Sequence, residues 1–151
     1  MRRFSRQSRD GFTLIELLVV IGIISILAAV VLLAINPATQ LGRARDTQRL
    51  TDINTILNAL HQYEIDTNNF PPGIPTGSSL FICKSGAASC RNGVDLAVLT
   101  QSGKYLVSLP FDPQAPAAGT GTNYAIQQSI NKRITIAAPG AEQSSSISVT
   151  R

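Results

Sequence analysis

At 151 residues and a formal net charge of +4, the chain has room for one small globular domain besides a long apolar stretch. The charge is concentrated at one end: Met1–Gly11 holds Arg2, Arg3, Arg6, Arg9 and Asp10, which leaves nine basic and eight acidic groups on the other 140 residues. That near-neutral remainder argues against a nucleic-acid-binding face. With one histidine, no Gly-rich phosphate loop and no paired acid cluster, no nucleophile–base constellation stands out, so neither an enzyme nor a cofactor is expected.

The first element is apolar. Phe12–Ile35 reads FTLIELLVVIGIISILAAVVLLAI, with Glu16 as its only charge. This is longer than the apolar region of about 7–15 residues in an ordinary signal peptide, and long enough to span a bilayer. A carboxylate in hydrocarbon costs about 2.5–3.5 kcal/mol on insertion scales. No basic residue lies within the run, so the partner of Glu16 is expected on another molecule; the competing reading is a carboxylate that stays hydrated near the interface. Four arginines precede the span and Arg43, Arg45 and Arg49 follow it, a slight bias toward a cytoplasmic N-terminus. Gly22, Ser25, Ala28 and Ala29 are small enough to let a neighbouring helix approach, or are ordinary spacers.

Asn36-Pro37 interrupts the pattern. Asn is a favoured N-cap and Pro a favoured first helical residue, so the pair restarts a helix or kinks a continuous one. Beyond it the sequence stays helical to about Asp66, with Leu50, Ile53, Leu57 and Leu60 recurring at three and four residues and Ile56 and Tyr63 widening the stripe. Arg45, Arg49, Asp52 and Gln62 are expected on the other faces, with Asp46–Arg49 and Arg49–Asp52 as weak i,i+3 surface pairs. His61 is expected to be a surface or packing residue. The two helical parts together cover about 54 residues, or about 80 Å if continuous, too long for one small domain.

From residue 67 the composition changes. TNNFPPGIPTGSS and PFDPQAPAAGTG are rich in turn formers. LFIC reads as a short strand, GVDLAVLTQ holds a short helix around Asp95–Gln101, and TNYAIQQ and RITIAAP alternate like hairpin strands about Ser129-Ile130-Asn131. SISVT is either a last strand or a frayed tail. The two cysteines, Cys83 and Cys90, are separated by six residues. Outside the cytoplasm they are expected to form a disulfide closing a small loop, and a metal site is not expected. The pattern as a whole predicts an α+β fold: a long N-terminal helix, membrane-spanning in its first half, packed on a small antiparallel sheet.

The stretch from Gly11 through Ile21, GFTLIELLVVI, placed after a short basic leader, closely resembles the class III signal of type IV pilins and of the related type II secretion pseudopilins. The resemblance implies that a membrane-embedded prepilin peptidase cuts between Gly11 and Phe12, that the new Phe12 amine is N-methylated, and that Glu16 serves assembly by neutralising the Phe12 amine of an adjoining subunit. It divides the chain into a leader (1–11), a membrane and filament-core helix (12–35), an amphipathic continuation (36–66) and a globular domain (67–151). The implied function is that of a structural subunit of an extracellular type IV pilus. Such a subunit waits as a single-pass precursor in the cytoplasmic membrane, then joins identical or related pilins through an inner-membrane assembly platform. The alternatives are a pseudopilin of a type II secretion system or a competence pilin, and DNA uptake by such a filament stays open. YEIDTNNFPP (Tyr63–Pro72) and YLVSLPFDPQ (Tyr105–Gln114) with NYAI resemble the family more loosely. Two departures stand out: Leu33 lies where many type IV pilins bend at a proline, and DPQAP replaces the usual DP-Trp-Gly. With Asp112 the only acid between Asp95 and Glu142, the calcium site of the major pseudopilin is not expected.

Overall fold

Helix α1 runs from Leu14 to Ile35 in the computed structural model, which describes residues 11–87 and 92–151. The leader residues before Gly11 lie outside the described residues. So does Cys90, and with it the expected disulfide; its candidate partner Cys83 is buried. The described residues divide into two compact units, the first ending at Gln40 and the second covering Leu41–Arg151.

None of the 22 residues of α1 is buried. A helix apolar on every side, with no polar face to turn to water, is one to be surrounded by lipid or by other helices. At 1.5 Å per residue it is about 33 Å long, against about 30 Å of hydrocarbon, and it is long and apolar enough to cross a membrane. Its one internal hydroxyl is satisfied locally, Ser25 Oγ donating to the Ile21 carbonyl at 2.7 Å. The helix stops at Asn36, which has φ 46° and ψ 79°. Pro37 explains the position, because the residue before a proline is pushed out of α geometry and Asn tolerates the left-handed region. The Asn36 carbonyl then accepts from the amides of Thr39 and Gln40, its side chain also meets the Thr39 amide, and helix α2 begins at Pro37.

Helix α2, Pro37–Thr67, buries Gly42, Asp46, Arg49, Ile53, Ile56, Leu57, Ala59 and Leu60. The spacing is helical throughout, but the first half of the stripe is polar and only the second half apolar. This corrects two expectations. Leu50 is 46% exposed rather than in the core, and Arg49, expected on an outer face, is completely buried. The helix ends at Asn68, whose amide donates to the Glu64 carbonyl at 2.7 Å with φ 61°.

Five strands follow: β1 (Leu80–Cys83), β2 (Gly93–Val94), β3 (Gly121–Gln128), β4 (Ile134–Ala138) and β5 (Ile147–Thr150), in the order β2-β1-β3-β4-β5. All neighbouring pairs are antiparallel except β1 with β2, which run parallel, so the sheet is not purely antiparallel as expected. The segment ISVT is a paired edge strand and not a frayed tail. A short helix α3, Ala97–Thr100, and a 3-10 turn, Gln101–Gly103, lie between β2 and β3. Alternation sorts the residues of β4: Ile134, Ile136 and Ala138 are buried, Thr135 and Ala137 only half-buried.

The core is formed where Ile53, Ile56, Leu57 and Leu60 of α2 meet Ile82, Tyr124, Ile126, Ile134 and Ile136 of the sheet, with Leu96, Leu99 and Leu109 closing it from the connecting segments. Each such side chain contributes about 1.5–3 kcal/mol by leaving water. The packing of helix on sheet belongs to α2, since α1 buries nothing.

Candidate functional site

At the start of α1 the chain builds a capping box. Thr13 is extended (φ −82°, ψ 149°) and its hydroxyl oxygen accepts from the Glu16 amide at 3.2 Å. Glu16 Oε2 in turn accepts from the Thr13 amide at 2.8 Å and the Thr13 hydroxyl at 2.7 Å. Two donors at the open end of the helix are thereby satisfied, and the carboxylate lies where the helix dipole favours it. Sequence reasoning looked for a cation and missed these neutral partners, although Thr-x-x-Glu before an apolar run is itself a cap signature. Only one oxygen of Glu16 is used; Oε1 accepts no hydrogen bond among the described residues. Gly11 and Phe12 precede the cap and both are exposed.

In the second unit the polar half of the α2 stripe closes on two loops. Arg49 Nε and Nη2 fork onto Asp112 Oδ2 and Oδ1 at 2.6 and 3.1 Å. Its Nη1 donates to Asp46 Oδ1 at 2.8 Å and Glu142 Oε1 at 3.0 Å, and Nη2 also reaches Gln114 Oε1 at 2.8 Å. All five guanidinium donors are used. Asp46 is equally saturated, with Oδ1 accepting from Arg49 and the Glu142 amide and Oδ2 from the amides of Gln143 and Ser144. Arg45 adds a second fork, on Glu142, with Nε 2.6 Å from Oε1.

This geometry sets the ionisation. Burial pushes the Asp46 carboxyl up, but the three backbone amides and Arg49 overcome it and hold the group well below its usual range. The Arg45 fork, with help from Arg49 and against burial, lowers Glu142 to about 2. Bonding to Asp112, then to Glu142 and Asp46, outweighs burial and raises Arg49. Asp52 takes no part in an Arg49 pair. It accepts the hydroxyl of the buried Tyr124 at 2.7 Å, and its own burial raises it.

The prokaryotic N-terminal methylation motif matches residues 6–32. The chain is 35% identical over 96 residues to the type IV wide pilus major component PilA4 of Thermus thermophilus, covering 64% of this chain and 68% of that protein. It is 32% identical over 108 residues to the type II secretion system core protein G of Aeromonas hydrophila, covering 72% and 69%. The core protein G of Vibrio cholerae is likewise 32% identical, over 113 residues, covering 75% and 69%. The chain belongs to the type IV pilin and type II secretion pseudopilin family. No solved structure gives a significant match to it.

As a member of this family the chain is a filament-forming type of subunit, with an apolar α1 and an α+β domain. Its candidate residues do not converge on one centre. Gly11, Phe12 and Glu16 lie together at the start of α1, Asn36 and Pro37 at its end, and Cys83 at the end of β1. His61 is partly exposed, its Nδ1 3.3 Å from Glu64 Oε2 and its ring edge-on to Phe70 at 5.7 Å. Asp112, read from the sequence only as an isolated acid, is buried. Both of its oxygens are held by a guanidinium, and the Gln114 amide adds a third bond.

Proposed function

We propose that this protein is a structural, non-catalytic pilin of an extracellular type IV pilus. The carrying observation is α1, a membrane-length helix of which no residue is buried. Apolar on every side, it demands an apolar environment in the bilayer first and among other subunits afterwards, and the exchange leaves its apolar burial nearly unchanged.

Processing by a prepilin peptidase between Gly11 and Phe12, with N-methylation of Phe12, fits the family's motif. The cut would free an amine one residue before the Thr13–Glu16 cap. Glu16 Oε1, unused within the chain, would then accept the Phe12 amine of a neighbouring subunit while Oε2 keeps capping its own helix. Opposite charges attract far more strongly in low dielectric than in water. The reading extends to a cytoplasmic N-terminus before assembly, an inner-membrane assembly platform, loosening of the helix at Asn36-Pro37, and a Cys83–Cys90 disulfide in the exported domain.

N-terminal sequencing of fibres sheared from cells tests it, with methylated Phe12 expected at the start. An intact Met1 in the fibres would refute the processing step. Glu16→Gln should insert normally and give no fibres, and wild-type fibre yield would end the pairing argument. The similarity to the core protein G supports a second reading, a pseudopilin. Loss of protein secretion, without loss of surface fibres, in a strain lacking the chain would favour it.

A further inference from the structure

Where α2 ends, the chain folds around a cleft of about 280 Å3 between the last helical turn, the turn at residues 68–74 and the β3–β4 hairpin. Asn68, Asn69, Gln128 and Lys132 line it, and their side-chain polar groups make no hydrogen bond or ion pair among the described residues. Three carboxamides and an ammonium thus line one solvent-open cleft, where a ligand would have only water to displace from them. Glu64 adds an acceptor, steadied from behind by His61, and Phe70 with its two following prolines supplies an apolar wall.

The residue types select the ligand. A carboxamide donates through its nitrogen and accepts through its oxygen. A hydroxyl does both at one atom, so adjacent hydroxyls match an amide where a phosphate, acceptor only, leaves its carbonyl facing like charge. One cation beside one carboxylate gives no net attraction for a polyanion. The apolar wall suits the C–H face of a pyranose, and the volume holds one small ring and not a drug-sized molecule. Lys132 sits at φ 61°, a position in a hairpin turn where glycine or asparagine is the unstrained choice. From that turn Lys132 lines the cleft.

We propose that this cleft binds a neutral pyranose ring of a glycan. The proposal does not rest on the filament reading, because every residue of the cleft lies in the second unit. The test uses the full chain in lipid nanodiscs, free of sugar detergents, titrated with methyl glycosides of neutral hexoses and N-acetylhexosamines and read by ligand-observed NMR. Saturable binding of at least one glycoside is expected. Asn69→Ala and Gln128→Ala should each weaken it by about tenfold or more with unchanged melting, since neither side chain bonds within the fold. Gln128→Glu, which keeps the size but loses the donors, should weaken it as well. Arg43→Ala, on the first turns of α2, should leave it intact. Absence of binding to every neutral glycoside, binding that survives all three cleft variants, or binding confined to inorganic phosphate and abolished by salt would overturn the proposal.

Discussion

Arg49 and Asp112, 63 residues apart in sequence, face each other as a buried two-bond fork, with Nε 2.6 Å from Oδ2. The pair joins α2 to the loop ahead of β3, and the Asp112 amide completes the link by donating to the Thr122 carbonyl at 2.9 Å. The same guanidinium also bonds Asp46, Glu142 and Gln114, so it touches every carboxylate of the polar cluster.

Truncating the guanidinium is the most damaging change. Arg49→Met leaves Asp112 without its fork and Asp46 without one of its four donors, both inside the fold. Breaking a buried pair by removing one partner costs about 3–5 kcal/mol, so the globular domain should lose most of its margin. Arg49→Lys should rescue little, because a single ammonium cannot span the fork and reach Asp46 as well. Thermal unfolding of the chain in nanodiscs, followed by circular dichroism, reads both variants.

Gly140 is small for a reason of space. A Cβ there would lie 2.9 Å from Asp112 Oδ2, an oxygen pinned by Arg49, while the glycine's own backbone needs no left-handed geometry. Gly140→Ala should cost about 1–3 kcal/mol as overpacking. In an Asp112→Ala background the added loss should shrink toward zero. An undiminished loss there would mean that the strain lies elsewhere.

Acid should loosen the domain over a defined window. Asp46 and Glu142 have folded values below their unfolded ones, Glu142 at about 2. Their stabilisation is complete above the unfolded carboxyl range near pH 4 and is lost as pH falls through the folded values. The melting temperature should therefore hold steady on the acid side down to about pH 5 and fall between about pH 4 and 2. In Glu142→Gln the fall should be shallower. Asp52, raised by burial, has the opposite sign: its contribution fades as pH rises past its folded value.

Tyr124→Phe should destabilise by about 0.5–1.5 kcal/mol, the net worth of one hydrogen bond to a half-buried carboxylate that water can still reach. The loss should be greatest where Asp52 is ionised and smaller in acid. Melting curves of the variant at neutral pH and near pH 4 make the comparison, and an equal loss at both would remove Asp52 as the cause.

The sequence disclosed what hydrophobicity encodes. Helix α1 follows from length and the near absence of charge, and Ile53, Ile56, Leu57 and Leu60 follow from their spacing. The polar half of the same stripe escaped because a periodicity reading counts apolar residues. Yet Gly42, Asp46 and Arg49 fall four and three apart and lead into Ile53 without a break in phase. Strand β2 escaped for another reason: two residues cannot show alternation, and their pairing is set by β1. At the candidate site, Glu16 was visible as an oddity. Its capping partner Thr13 was visible too, but the search for a countercharge passed over it.

The three amides that close on Asp46 come from Glu142, Gln143 and Ser144, 96 to 98 residues later in the chain. A contact of that separation is slow to form, because so much chain must be ordered first. Until residues 140–150 arrive, the buried end of α2 presents an unshielded Asp46–Arg49 pair and β4 an open edge. Completion of the domain is therefore a late event in the life of each chain. A chain made from its N-terminus onward would stay a half-closed, vulnerable species until its β5 segment had followed.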